Sequence, residues 1–485
     1  MTGIPNNIKR EAKMLKRRLI SVGLAVLMGA SLLAGCGSTS ENKSETNATK
    51  EISESSTEAE TTAEASDTKE DEKPLEGEIT FWHSFTQGGR LDNIQAAADA
   101  FVKENPGVKI NIETFSWADF YTKWTTGLAS GDVPDMSTAL PNHVVEMIDA
   151  DAVIPLDGLI DEIGRDRFYE APLTEMTADD GHTYGIPIYS HAQVMWYRKD
   201  LLKKYNLEVP KTWDELYDAA SKITEGENGK VYGCSVPLGT SDMMGARYLN
   251  FYVRSAGGRL LNDDNSANLT SKEAIDGINY WVKMYKKNSP AESINYGVLD
   301  QATMYYQGTN AFDFNSGFQI SGVQTNSPDL IDQISCAPVP SVTGDNGITG
   351  YETSNIPMVI WKNSKHPEIC EAFIKFLYQK EYYVPFLLSV PVGMVPALKD
   401  IAEDPDFLSD PTMKKFQNEF KTICTAVNEG TAIGMEKGPV PQAGLLTSQH
   451  VIEEMFQNII LNGADTETAA KEAQDKLDDL FSTLE

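Results

Sequence analysis

The sequence predicts an α/β layered body behind an export segment and a tether. Three observations carry this: a strand, helix, strand order where the body begins, 485 residues of chain, enough for two domains, and one uncharged apolar run confined to the N-terminus. A net charge of −30, from 41 basic and 71 acidic side chains, repels phosphodiester backbones and anionic headgroups over a Debye length of about 8 Å. Nucleic acid is not an expected partner, and the acidic balance disfavours an anionic guest.

The N-terminal elements follow from charge and length. Lys16-Arg17-Arg18 precedes an uncharged run over 19–33, shorter than the roughly 20 residues of a membrane span. Residues 1–35 therefore read as a secretory signal, with translation expected to begin at Met14, because Met14-Leu15-Lys16-Arg17-Arg18 is already a complete n-region. The run ends in Leu33-Ala34-Gly35-Cys36, which resembles a bacterial lipoprotein lipobox; the resemblance implies cleavage after Gly35 and acylation of Cys36. After it, Ser, Thr, Glu and Ala dominate to residue 73, with Ile52 the one large apolar side chain, too little to offset ordering entropy. Residues 36–73 are thus a lipidated cysteine and a disordered acidic tether, about 35 Å from end to end as a flexible coil. A body held this way is extracytoplasmic and anchored to the bacterial cell membrane through lipid.

The body, 74–485, opens with a strand at Glu78-Ile79-Thr80-Phe81-Trp82 and a polar loop containing Gly88-Gly89. A helix follows with Ile94, Ala97, Ala98, Phe101 and Val102 at the 3.6 period, stopped by Pro106-Gly107. The next strand, 109–115, places Ile110 and Ile112 on one face. Such an order implies a parallel pair with a right-handed crossover, and ligands in these sheets lie beyond the carboxyl ends of strands. Trp117, Phe120, Tyr121, Trp124 and Leu128 then form an apolar helical stripe, read as core rather than as a sugar platform. Gly131-Asp132-Val133-Pro134-Asp135 ends that helix and leads to a strand at 136–140; an extended stretch over 181–197 follows, and Thr212 with Glu215 makes a capping box for the next helix.

Chemistry-bearing motifs are sparse. Cys234, Cys336, Cys370 and Cys424 have no C-x-x-C spacing and are expected as buried free thiols; no metal or other cofactor is expected, since the six histidines also lack ligand spacing. No G-x-S-x-G, H-E-x-x-H or Walker A pattern occurs. The competing reading is a surface-anchored glycoside hydrolase with two carboxylates about 5 to 9.5 Å apart.

An ordered set of short motifs carries a family resemblance. Gly131-Asp132-Val133-Pro134-Asp135, Tyr184-Gly185-Ile186-Pro187, Tyr197-Arg198-Lys199-Asp200-Leu201, Pro210-Lys211-Thr212-Trp213-Asp214-Glu215-Leu216, Ala256-Gly257-Gly258, the run over 308–317 and Pro338-Val339-Pro340 come in sequence. Over about 78–485 the chain resembles the sugar-type, family 1 extracellular solute-binding proteins of ABC importers, relatives of maltose-binding protein. The resemblance implies a two-lobed periplasmic-binding-protein-like fold (type II), with hinge strands and several chain crossings. It places lobe 1 at about 77–188 and 357–410 and lobe 2 at about 192–350 and 411–485, with crossings at 186–197, 350–357 and near 406–412. It implies a receptor, not an enzyme, acting as a monomer: it closes on a carbohydrate, foremost an oligosaccharide or another neutral solute, and delivers it to ABC permease transmembrane subunits.

The same resemblance singles out ligand-binding candidates. His83 and Ser84 follow the first strand, and Asp135 closes the Pro-Asp turn; a structural histidine and a turn role are the respective alternatives. Asn142 is a weaker candidate. Tyr189 and His191 lie in the first hinge strand, His191 where maltose-binding protein has a carboxylate. Arg247 and Tyr248 precede Ala256-Gly257-Gly258; Asn315, Ser316 and Phe318 follow a strand-like segment, Phe318 as a stacking ring; Tyr351 and Glu352 belong to the second crossing. Gly444 and Leu445 stand where an aromatic platform occurs in that relative.

Overall fold

β1 (Gly77–His83) and β2 (Val108–Thr114) run parallel, with Gly77 opposite Val108 and His83 opposite Thr114. The helix between them, Arg90–Glu104, buries Ile94, Ala97, Ala98 and Phe101, the stripe expected from the 3.6 period. The structure is a computed structural model that describes residues 74–86, 89–344 and 350–484, without the side chains of 117, 118, 121 and 122. The export signal, the lipobox with Cys36 and the tether, Gly88, and the Trp117 and Tyr121 side chains lie outside the described residues. Leu75–Leu128 and Asp132–Glu485 form one compact unit.

The other strands in chain order are β3 (Met136–Thr138), β4 (Ile186–Ala192), β5 (Val194–Arg198), β6 (Tyr232–Cys234), β7 (Asn310–Asn315), β8 (Ile334–Ala337), β9 (Thr353–Ile360) and β10 (Val395–Pro396). They make two sheets: a six-stranded one in the order β10-β4-β9-β3-β1-β2 and a four-stranded one in the order β6-β7-β5-β8. Helices surround each sheet, so the body is two α/β lobes. The expected extended stretch over 181–197 breaks at Gln193, with β4 in one sheet and β5 in the other.

Aromatic side chains fill both interiors. Trp213, Tyr248, Phe251, Trp281 and Phe314 pack ring on ring behind the four-stranded sheet. Phe120, Trp124, Trp82 and Trp361 form a separate cluster in the other lobe, as the core reading of the helical stripe requires. Thr212 accepts the Glu215 N–H at 3.2 Å while the Glu215 carboxylate accepts the Thr212 N–H at 3.1 Å, the expected capping box. All four cysteines of the body are free; Cys424 alone is half-buried.

Three passages of chain run side by side at the waist. The Gln193 N–H donates to the Glu352 carbonyl at 2.8 Å, and the Thr353 N–H to the Thr431 carbonyl at 3.2 Å. Next to them His191 pairs with Ser354, and Ala192 with Thr353. The stretch near 406–412 holds two short helices capped by Asp404 and Asp410, and the helix Gln417–Glu429 that follows lies against strands of both sheets. Glu175 fastens the waist from the six-stranded lobe: buried, it accepts the Ala432 N–H at 2.8 Å, the Thr353 hydroxyl at 3.0 Å and the Asn355 amide. Burial pushes its carboxyl up to about 7 against the pull of those donors, and Glu352 adds to the rise.

Asp135 is a fastener rather than part of a cleft. One carboxylate oxygen accepts the Thr80 N–H of β1 at 2.8 Å and the other the Ser364 hydroxyl at 2.6 Å, just before β3 begins and beside the middle of β1. Asp135→Ala should lower unfolding free energy by about 1–3 kcal/mol in urea titrations, by stranding the Thr80 donor. For Glu175, a carboxyl near 7 when folded against 4.5 unfolded binds more protons in the folded state between those values. Its stabilisation is complete below about pH 4.5 and lost as pH rises through 7. Glu175→Gln should therefore reduce the loss of stability between pH 5 and 8 by on the order of 3 kcal/mol, read by denaturant titration at each pH. Glu453, Glu146 and Asp313, pushed up to about 7, 7 and 8 chiefly by burial, keep part of the slope.

Candidate functional site

The carboxyl end of β1 and the hinge strand β4 bring together His83, Ser84, Tyr189, His191 and Phe318 of the residues expected at a cleft. His83 ends β1 fully buried, its Nδ1 accepting the Phe85 N–H at 3.1 Å and its ring stacked 4.9 Å from that of Phe85. Ser84 follows it, with its hydroxyl buried and without a protein partner. Tyr189 and His191 are two residues apart along β4, and Phe318 opens the helix Phe318–Asn326 that follows β7, its ring centroid 6.0 Å from that of His191. Burial, reinforced by Arg90, holds the His83 imidazole down at about 3; burial, then Arg247 and Arg90, do the same for His191. Both rings are neutral at physiological pH and able to donate at one nitrogen and accept at the other.

Arg90, which the sequence did not single out, ties this nook together. It opens the helix Arg90–Glu104 and donates from Nη1 to the Tyr189 hydroxyl at 3.3 Å. Its guanidinium lies 5.7 Å from the Phe85 ring centre and 5.5 Å from that of Phe318 in the other lobe. A second contact between lobes lies beside it: a Cβ on Gly317 would sit 2.3 Å from the Val392 carbonyl oxygen. Glycine is needed there for that close approach.

Arg247 and Glu352 meet as a buried pair. Arg247 Nε donates to both Glu352 oxygens, at 2.8 and 3.0 Å, and its second amino group comes within 2.8 Å. Burial raises the Glu352 carboxyl and the Arg247 charge opposes the rise. Arg247 is aimed by the helix Met244–Ser255, whose N-terminal N–H groups are held by Asp242 at 3.1 Å and Glu453 at 2.8 Å, two carboxylates at the positive end of its dipole. Beside the pair is a cavity of about 30 Å³ walled by Leu140, Asn142, Met243, Ser354, Met435 and Thr447 among others, from both lobes and the hinge. Asn142, the weaker candidate, is thus at the cleft, and Gln193 is a hinge residue that sequence reasoning missed, with Oε1 buried and unpartnered.

Other candidates are placed differently. Tyr248 is core: its ring packs on Trp281 and Phe314, and its hydroxyl donates to the Ser235 carbonyl and accepts from Gln301. The reason is helical geometry, which turns each residue about 100° from the one before, so that Tyr248 faces the core while Arg247 reaches the carboxylate. Tyr351 is buried next to Glu429 and Cys336, and burial pushes its hydroxyl up to about 12. Asn315 turns its amide oxygen back onto the Ser316 N–H at 2.8 Å, at the hinge end of β7 opposite Val194, and Ser316 is buried beside it. Gly444 packs against Glu146 on the helix Pro141–Asp149, and Leu445 is half-buried. A larger polar hollow of about 530 Å³ over residues 257–268 contains none of the candidates.

The arrangement offers hydrogen bonds and ring faces, and its two hinge carboxylates are engaged by protein groups. Glu175 and Glu352 are near neighbours, but the first is occupied by Ala432, Thr353 and Asn355 and the second by Arg247. Among the described residues no cluster of His, Cys, Asp and Glu has the makings of a metal site.

Comparison with known proteins agrees with this picture. Residues 88–384 match the model of the bacterial extracellular solute-binding protein family. A binding protein of Brucella abortus is 27% identical over 319 residues, 65% of this chain and 75% of that protein. An arabinooligosaccharide-binding protein of Halalkalibacterium halodurans is 23% identical over 424 residues, 83% of this chain and 90% of its own. An ABC transporter solute-binding protein from Thermotoga lettingae, solved with α-D-tagatose, superposes with a TM-score of 0.71 at 22% identity, covering 84% of this chain and all of that one. The fold is therefore the two-lobed type II binding-protein fold, and a family match from the start of the first helix to the helix Lys380–Leu388 identifies a solute receptor rather than an enzyme. The chain belongs to the bacterial extracellular solute-binding proteins.

Proposed function

We propose that the chain captures a carbohydrate, foremost an oligosaccharide, between its lobes and delivers it to the transmembrane subunits of an ABC importer while tethered through a lipid on Cys36. The observation that carries this reading is the hinge nook, where neutral imidazoles, a serine hydroxyl and a phenol lie among the rings of Phe85, Tyr189 and Phe318. Sugars present hydroxyls that need donors and acceptors and CH faces that suit rings. Names of similar proteins point the same way, toward an arabinooligosaccharide in one and a ketohexose in another.

Size makes lobe movement necessary. A cavity of about 30 Å³ has room for roughly one water, whereas small-molecule sites occupy about 300–1,000 Å³. Admission of a sugar requires the Phe318 and Met243 side of the cleft to part from the His83 and Asn142 side. A ligand then favours the closed form only by its preference for that form over the open one.

Titration calorimetry against a panel of oligosaccharides should give saturable one-to-one heat, with the sugar recovered unaltered by chromatography; release of smaller sugars, or no heat with any member, would defeat the reading. In cells, Cys36→Ala should move the protein from the membrane fraction to the soluble one, and retention in the membrane would remove the lipid anchor.

A further inference from the structure

A fully buried carboxyl, Asp313, sits in β7 shortly before the turn that meets the other lobe. Gln301 donates to one of its oxygens and Gln319 to the other. These two arms lead in different directions. Gln301 belongs to the helix Val298–Tyr306 and also donates to the Tyr248 hydroxyl at 2.5 Å, which ties the carboxyl to the ring cluster behind the sheet. Gln319 stands in the first turn of the helix Phe318–Asn326, so its bond reaches back over the turn and fixes the start of the helix to the strand. Inside that loop the Asn315 amide oxygen accepts the Ser316 N–H at 2.8 Å, and the Ser316 carbonyl accepts the Gln319 N–H at 3.2 Å. A carboxyl is costly in a core that apolar groups could fill; what it adds is direction, a bond of set length and angle between strand and helix.

The turn held in this way has little slack on its far side. A Cβ on Gly317 would lie 2.3 Å from the Val392 carbonyl oxygen, and a Cβ on Gly393 would lie 3.2 Å from the Phe318 ring. Val392 does not yield easily: it is a β-branched residue at φ 67°, in the left-handed region, with its N–H on the Met413 sulfur at 3.2 Å. A small displacement of the turn is therefore passed on to the contact between lobes. It also moves the ring of Phe318, which meets that of His191 edge-on at 6.0 Å.

We propose that Asp313 is a positioning residue for guest binding: through Gln319 it sets the place of Gly317 and Phe318, and with them the contact between lobes and the ring face turned to the guest. The guest is taken from the carbohydrate reading, on which this last step rests; the lobe contact stands without it. Asp313 acts from inside its own lobe, where it is 0% exposed.

NMR of the histidine-labelled full chain tests the contact with no sugar present, His191 being the signal that disappears in His191→Gln. Gln319→Leu and Asp313→Ala should each move that signal most of the way to its position in Phe318→Ala. Gln301→Leu, which removes a bond to the same carboxyl from the core side, should leave it in place. Gln319→Asn, with an arm too short to reach, should repeat the shift and serves as the second variant if either of the first two fails to fold, as judged by thermal melts. Calorimetry with the tightest-binding oligosaccharide of the panel should then show binding weakened roughly fivefold in Gln319→Leu, the scale of one hydrogen bond, and much less in Gln301→Leu. An unmoved His191 signal in the Gln319 variants, an equal move in Gln301→Leu, or a moved signal with unchanged affinity would overturn the proposal. If the wild-type chain binds no sugar, the carbohydrate reading falls, and the His191 signal still decides whether Asp313 positions the lobe contact.

Discussion

The backbone pairing of three chain passages at the waist is the constraint on which the rest depends. A segment leaving one sheet for another loses its neighbours, and its N–H and C=O groups must find new partners or remain unsatisfied. Here the solution is mutual: Gln193 bonds to Glu352, Thr353 to Thr431, and Glu175 takes up a further N–H and two side chains from the same place. At this junction side chains of both lobes are held in a fixed relation to a common strand pair. His191 and Ser354, direct partners across that pair, face the nook and the cavity respectively.

Charge is distributed with the same economy. The surface is acidic, but the interior of the waist is a set of local balances: Arg247 against Glu352, Asp242 and Glu453 against a helix terminus, Glu175 against three donors. Removing one member of such a set is more damaging than the set is worth in net stability, because the remaining group stays buried without compensation.

Much of the fold was legible in the sequence because it rests on short-range signals. The period of Ile94, Ala97, Ala98 and Phe101, the Thr212–Glu215 box and the break at Pro106-Gly107 all act within a few residues. The crossing at Gln193 was legible only as a region, since nothing local distinguishes a strand that continues from one that changes sheets. Site residues divided on the same principle. His83, Ser84 and His191 lie where strand ends and hinges must lie, and they are together. Asp135 is not with them because its partners, Thr80 and Ser364, are 55 and 229 positions away. Tyr248 could not be told from Arg247 by position alone, as adjacent helical residues face different neighbours. Arg90 escaped notice for a similar reason: its meaning depends on Tyr189 and Phe318, brought to it by two other elements.

The contact at Gly317 bears on how such a receptor could be tuned. With 2.3 Å between an imagined Cβ and the Val392 oxygen, the missing methyl group sets how near the loop after β7 can come to the facing backbone. Any bulkier residue at this place would act as a doorstop against the Val392 backbone, keeping the jaws ajar. The spacing between the lobes is thus open to adjustment at a position with no side chain of its own.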